Sequence, residues 1–91
     1  MDKVIELAKE LKQNIDELPE MKEYLRLKDL LEKDEELVHM RHEIARLKAE
    51  NKIEERDNLL KIYNAHPLVN NFYLAKEEIT SILKTIQNII Q

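Results

Sequence analysis

The 91-residue chain contains no glycine and no cysteine, and its two prolines are Pro19 and Pro67. Without glycine, the phosphate-binding loops, dinucleotide fingerprints and nucleophile elbows that depend on this residue are excluded. Without cysteine, disulfides, thiolate metal sites and iron–sulfur ligation through cysteine are excluded as well. Aromatic residues make up 4% of the chain. Aliphatic side chains must therefore supply the packing, which is typical of a helical bundle.

Charged residues make up 37% of the chain, and the formal net charge is -4. This balance argues against direct nucleic-acid binding, because phosphate contacts depend on clustered Lys and Arg. Charges interrupt the start of the chain and no apolar run reaches membrane length, so we expect a cytoplasmic protein without a membrane partner. A domain this small buries only about 60% of its unfolded surface. We therefore expect one helical domain over residues 1–91 that packs in a homo-oligomer.

Three positions predict where helices begin. Pro19 and Pro67 each lack the backbone N–H that would be unpaired in a first helical turn, and apolar residues at helical spacing follow both. Asp34 is a good N-cap, and the two glutamates that follow it suit the positive end of a helix dipole. Ahead of Pro19, an apolar stripe predicts a first amphipathic helix: Val4, Ile5, Ala8, Leu11, Ile15 and Leu18.

The segment between Asp34 and Asn64 predicts a third helix with two interpretations. No strong helix breaker interrupts it, so a continuous helix about 43 Å long fits at 1.5 Å per residue. Its apolar seam is uneven, because Asn51 falls where the seam needs an apolar residue. The chain could instead turn near Asn51 into a hairpin whose second arm carries Leu59, Leu60, Ile62 and Tyr63. We favour the continuous helix, which predicts an all-α antiparallel bundle of about four helices with one long central helix.

The segment after Pro67 carries the strongest amphipathic pattern. Isoleucine recurs at both heptad core positions, which favours trimeric or tetrameric packing in parallel coiled coils. An apolar arc of this width is also typical of a helix facing an intrachain core. We expect the stripe mostly to close the core, Leu68 and Phe72 above all, with oligomer contacts at one edge. The candidate surface for a partner or a second subunit is Leu68, Val69, Phe72, Tyr73, Ile79, Ile82, Ile86 and Ile90.

Candidate sites for metal binding or catalysis are weak. Glu36 and His39 form one Glu-x-x-His element, whereas di-iron bundles need two such elements and further glutamates. The run that begins at His42 and Glu43 lacks the second histidine of a zincin. His66 is interpreted as an N-cap or surface residue. We expect no catalytic residue, no metal and no cofactor.

One enzyme class has a comparable length, the small all-helical chorismate mutases, which bind a dicarboxylate with arginines and a lysine. Here the first arginine is Arg26, too late for the early arginine of their first helix. The later cations Arg41, Arg46 and Lys48 have acidic neighbours one helical turn away, so solvated ion pairs are their expected role. An enzyme is therefore the least favoured class.

Two stretches of the chain carry a resemblance to known proteins. The first is the run HPLVNNFYLAKEEI at residues 66–79, with the isoleucines that follow it. The second lies upstream and consists of the run LAKEL at residues 7–11, Pro19-Glu20, Tyr24, Lys28 and Asp34-Glu35. The first stretch is similar to the final helix, and the second in order and spacing to the opening pair of helices, of the YlbF/YmcA family of helical cell-fate regulators from Gram-positive bacteria.

This resemblance implies a small, all-α, non-enzymatic adaptor that associates with like subunits or related helical regulators. Members are linked to competence, sporulation and biofilm formation, through binding of an endoribonuclease and altered RNA processing. Cysteines that hold an iron–sulfur cluster in some members have no counterpart here, so no cluster is expected. The alternative is a generic structural oligomerisation module that self-associates through the isoleucine stripe.

Overall fold

A computed structural model shows the chain as α-helices joined by short turns. It describes residues 2–90, with side chains for residues 2–89. Within this range no strand occurs, and the five helices are α1 (Asp2–Asp16), α2 (Pro19–Lys33), α3 (Glu35–Ala49), α4 (Ile53–Ala65) and α5 (Pro67–Ile90). The prediction of an all-α chain is confirmed, whereas the predicted number of about four helices is too low for these residues.

Both prolines open helices, as predicted. Pro19 lies at the start of α2 and Pro67 at the start of α5. The residue before each is extended, with φ -61° and ψ 134° at Leu18 and φ -65° and ψ 130° at His66. Proline disfavours helical geometry in the preceding residue, so each proline ends one helix while it begins the next.

Asp34 is the single residue between α2 and α3, and it serves both helices. Its backbone N–H donates to the Leu30 carbonyl at the end of α2, 3.1 Å away. Its carboxylate accepts a hydrogen bond of 3.0 Å from the Leu37 N–H in the first turn of α3. This bond satisfies one of the unpaired N–H groups at the helix start, which confirms the predicted N-cap.

The predicted long central helix is wrong, because the chain turns at Asn51 and α3 and α4 form a hairpin. Asn51 has φ 60°, a left-handed conformation. The Lys52 N–H donates to the Leu47 carbonyl at 2.9 Å, and the Asn51 N–H donates to the Lys48 carbonyl at 3.1 Å. These two bonds define a Schellman helix end, where asparagine is the usual substitute for glycine. In a chain without glycine, Asn51 was the stop signal.

The core lies among α2, α3, α4 and α5. Leu31, Leu37, Tyr63 and Val69, one from each helix, form its buried centre. The Tyr24 ring of α2 stacks on the Phe72 ring of α5, with ring centroids 5.5 Å apart. Leu31, near the end of α2, shares the core cluster with Val69 near the start of α5, whereas the earlier Tyr24 contacts the later Phe72. These two helices therefore run in opposite directions. Partly buried side chains complete the cluster: Met40, Ile44, Leu68 and Phe72.

Helix α1 lies apart from this core. None of its described Cα atoms comes within 8 Å of α3, α4 or α5, and its nearest helix is α2. None of its side chains is buried. The molecule is consequently elongated, with principal extents of 53 × 23 × 20 Å. The predicted amphipathic helix is present, but its apolar stripe is exposed or half-buried.

Candidate interaction surfaces

The structure divides the predicted surface of α5 between the core and the exterior. Val69 and Ile79 are 0% and 3% exposed, so within one chain they are core residues. Leu68 and Phe72 are half-buried and pack against the core cluster, as expected for the start of this helix. These four side chains hold α5 on the bundle and leave little area for a partner.

The remaining predicted residues are accessible to different degrees. Tyr73 is exposed, and Ile82 and Ile86 are half-buried. Ile90 belongs to α5, but its side chain lies outside the described residues. The helical period places Tyr73 on one side of α5 and the pair Ile82 and Ile86 roughly opposite. Helix α5 therefore presents two separate surfaces, a polar one that begins at Tyr73 and an apolar one near its end.

The polar surface is an open groove along α5, which we call the Tyr73 groove. Its volume is about 350 Å³ and its lining is Tyr73, Lys76, Glu77, Thr80, Ser81 and Lys84. The Tyr73 ring meets the Phe72 ring edge to face, with centroids 5.5 Å apart and planes inclined by 65°. Phe72 is held by the core, so the exposed ring of Tyr73 has a fixed support. A supported aromatic ring among hydrogen-bonding side chains suits contact with another protein.

Arg41 lies on α3 and differs from the other arginines in its lack of an acidic partner. Among the described residues it makes no ion pair, whereas Arg26, Arg46 and Arg56 each lie within 2.8 Å of a carboxylate oxygen. Its Nε is buried without a hydrogen-bond partner in this part of the chain. Burial raises the pKa of the neighbouring Tyr63 hydroxyl, and the Arg41 charge opposes that rise.

The candidate metal ligands do not converge. Across the described residues no three His, Cys, Asp or Glu side chains lie close enough to hold a metal ion. His39 is exposed on α3. Glu43 instead receives two hydrogen bonds from Arg46, at 2.7 and 3.0 Å. The hydrogen bonds from Arg46, more than its charge, hold the pKa of Glu43 below the ordinary 4.5. The predicted solvated ion pair is confirmed at Arg46, which pairs with Glu43 and Glu50, whereas Arg41 and Lys48 form none among the described residues.

Sequence reasoning missed three features of these surfaces. For Arg41 the sequence predicts an ion pair. Whether the pair forms depends on side-chain geometry, which residue spacing does not reveal. The groove residues Lys76, Thr80 and Lys84 recur at four-residue steps, and this weak polar stripe was the available signal. The exposure of α1 was not predictable from its pattern, because a stripe of this kind normally packs against the bundle.

The helices of the described residues and the core that they surround define a small all-α protein. A family model described as control of the competence regulator ComK, YlbF/YmcA, matches residues 4–91. The chain therefore belongs to the YlbF/YmcA family, and the resemblance is confirmed. The family is described as one of regulators. Comparisons with curated proteins and with solved structures gave no significant match.

One further observation concerns membranes. Among the helices within residues 2–90, none combines the length and the apolar character that crossing a bilayer requires.

Proposed function

We propose that this protein is a non-enzymatic regulatory adaptor that acts by binding other proteins. The observation that carries the proposal is the family match over residues 4–91, which covers all five helices almost completely. A helical bundle with exposed helix faces suits this role, because such faces can receive a partner without rearrangement of the core.

The partner we propose is an endoribonuclease, and the adaptor would act on RNA processing in the cytoplasm. This follows from what the resemblance implies of the family, in which regulation of competence, sporulation and biofilm formation is linked to that enzyme class. The acidic chain itself is poorly suited to RNA, because phosphate contacts need clustered cations. In our proposal, the adaptor therefore contacts the enzyme and not the transcript.

The contact surface we propose is the Tyr73 groove. Tyrosine is enriched among the residues that dominate binding energy, and the Tyr73 side chain is exposed in this groove. Tyr73 supplies an amphipathic ring, and the side chains of Lys76, Thr80 and Lys84 along the groove can donate hydrogen bonds to a partner. Replacing Tyr73 by alanine removes the ring while leaving the core residue Phe72 in place, so binding should fall without loss of the fold.

The test is a pull-down from source lysate with ribonuclease treatment, followed by mass spectrometry. The wild-type chain and Y73A are compared with I53A, a matched control because Ile53 is 45% exposed and Tyr73 is 44% exposed. Ile53 lies at the start of α4, beside the hairpin turn and far along the chain from the groove. We expect the wild type and I53A to retain an endoribonuclease after ribonuclease treatment, and Y73A to lose it. Recovery of no endoribonuclease with the wild type would overturn the proposal.

The second candidate function is a structural oligomerisation module. It is favoured by the isoleucine-rich end of α5, where the apolar side chains are only partly covered within one chain. This function requires self-association and no other partner. A pull-down that recovers the protein itself alone would support it over the adaptor.

A further inference from the structure

Tyr63 is a core side chain whose hydroxyl has no partner among the described residues. Its ring lies in the core cluster with Leu37 and Val69, and the residue is 3% exposed. The hydroxyl retains contact with solvent, since the one sealed side-chain polar atom without a partner in this part of the chain is the Nε of Arg41. Tyrosine hydroxyls of buried residues usually find a hydrogen-bond partner. Tyr63 therefore carries an unused hydroxyl from the core to the surface.

Arg41 of α3 places its charge near this hydroxyl. It follows Leu37 by one helical turn, and Leu37 packs in the same core cluster as Tyr63. Burial raises the pKa of Tyr63 and the Arg41 charge lowers it, so the two groups interact. The Nε of this half-buried side chain is sealed, whereas its two Nη nitrogens keep contact with solvent and make no hydrogen bond to a described residue. A ligand can therefore approach the end of the guanidinium.

Tyr73 of α5 supplies a third hydrogen-bond donor. Besides burial, the Tyr73 phenol raises the pKa of Tyr63, which indicates that the two phenols are close. The preceding residue, Phe72, packs against the core cluster and meets the Tyr73 ring edge to face. Three helices thus bring one guanidinium and two phenols together, and we call this set of Arg41, Tyr63 and Tyr73 the Tyr63 site.

The chemistry of the Tyr63 site suits an anion. A guanidinium donates hydrogen bonds and accepts none, and each phenol has a proton to donate. The two oxygens of a carboxylate match the planar guanidinium and have lone pairs left for the phenols. We propose that the Tyr63 site binds the carboxylate of an acidic side chain on the partner protein. This inference rests on the adaptor function proposed above, because the ligand group belongs to that partner.

The openness of the site favours a protein ligand over a small molecule. Small-molecule sites are concave and bury most of their ligand. Tyr73, in contrast, is 44% exposed and lines an open groove. A carboxylate here must be held by the rest of a larger partner. The acidic residue of the groove, Glu77, does not occupy the site, because it makes no ion pair with Arg41.

The first test is an NMR titration of the purified chain with N-acetyl-glutamate methylamide at fixed ionic strength. We expect saturable shifts of the Tyr63 and Tyr73 ring signals in the millimolar range, the affinity of roughly two charge-assisted hydrogen bonds. The neutral glutamine analogue should give none. Absence of saturation with the glutamate probe would overturn the proposal. Tighter binding of inorganic phosphate would overturn the assignment of a carboxylate ligand.

Two matched pairs of variants locate the response. R41Q should abolish the saturable shifts and R26Q should retain them, because Arg26 is exposed and already paired with Glu23 at 2.6 Å. Y63F removes only the hydroxyl and should weaken binding at least about threefold, monitored at Tyr73. Y24F, which removes the hydroxyl of the ring stacked on Phe72, should bind as the wild type does. Circular dichroism checks that all four variants keep their helices. Equal titrations within either pair would refute the site.

The pull-down described above separates this inference from the adaptor function. R41Q should lose the endoribonuclease as Y73A does, and R26Q should retain it. Failure of the wild type to recover the enzyme would remove the adaptor function, whereas the titration needs no partner and still reports on the site. Recovery of the enzyme by R41Q, with loss by Y73A, would leave the adaptor in place and remove the Tyr63 site alone.

Discussion

The turn at Asn51 can be tested by two substitutions that act in opposite directions. N51G places the residue that adopts a positive φ without steric penalty, and N51A places a residue that resists it. Because Asn51 has φ 60° in the structure, glycine should stabilise the chain and alanine should destabilise it. The two bonds of the helix end, from Asn51 and Lys52, make the conformation obligatory.

The magnitudes follow from the cost of left-handed geometry. The left-handed conformation costs an ordinary L-residue roughly 1–2 kcal/mol, and it costs asparagine less than that. N51A should therefore lose about 1 kcal/mol of unfolding free energy. N51G should gain about 0.5 kcal/mol, because the entropy of an unfolded glycine offsets part of the relief. In a continuous helix the signs reverse, since alanine would be favoured by up to about 0.7 kcal/mol and glycine disfavoured.

The assay is thermal unfolding by circular dichroism at one fixed protein concentration, because self-association would shift Tm. A change of 1 kcal/mol moves Tm by about 4–8 °C in a domain of this size. Asn58 is exposed in the interior of α4 and provides the matched control. There alanine should be neutral or stabilising and glycine destabilising. If alanine were more stable than glycine at position 51, as expected at position 58, the hairpin turn would be refuted.

Three further outcomes are expected. L37A should lower the unfolding free energy by about 3 kcal/mol in urea titrations, because the Leu37 side chain is 0% exposed and its removal leaves a cavity. H66A should lose about 1 kcal/mol of stability, since the His66 Nδ1 accepts a hydrogen bond of 3.1 Å from the Leu68 N–H, and H66N should largely recover it. The pKa of Glu43 is lowered mainly by the hydrogen bonds from Arg46, so the ionised carboxylate stabilises the folded chain at any pH above the ordinary pKa of 4.5. As the pH falls below 4.5 and through the lowered pKa of the folded state, this stabilisation should be lost. An NMR titration of Glu43 that gave an ordinary pKa, an H66A stability equal to wild type, or an L37A loss below 1 kcal/mol would each contradict its prediction.

Helix starts were predictable because they depend on short-range chemistry. Pro19 and Pro67 lack an N–H group that a first turn does not use, and the Asp34 carboxylate reaches an N–H three residues away. Each signal acts within one helical turn, so it is readable from neighbouring residues alone. The family resemblance followed from the same order of helices and was confirmed over residues 4–91.

The end of α3 was not predictable with the same certainty. Asn51 accepts both helical and left-handed geometry, so local preference permitted a continuous helix as well as a hairpin. The hairpin wins because α3 and α4 fold back on one another and bury Leu47 and Tyr63. That gain arises between residues distant in sequence, and local propensity carries no information about it.

The candidate surfaces likewise combine features that residue order predicts with features that depend on helix packing. The apolar stripes of α5 and α1 follow from residue order alone, because helical periodicity depends on nothing else. Which parts of those stripes are covered was decided by tertiary structure alone. Val69 and Ile79 lie on α5, which packs against α2 and α4, and are buried, whereas Ile5 lies on α1, which contacts only α2, and is exposed. The apolar pattern of a helix shows which side chains would gain free energy from burial. Whether they are buried depends on the positions of the other helices, which the pattern does not contain.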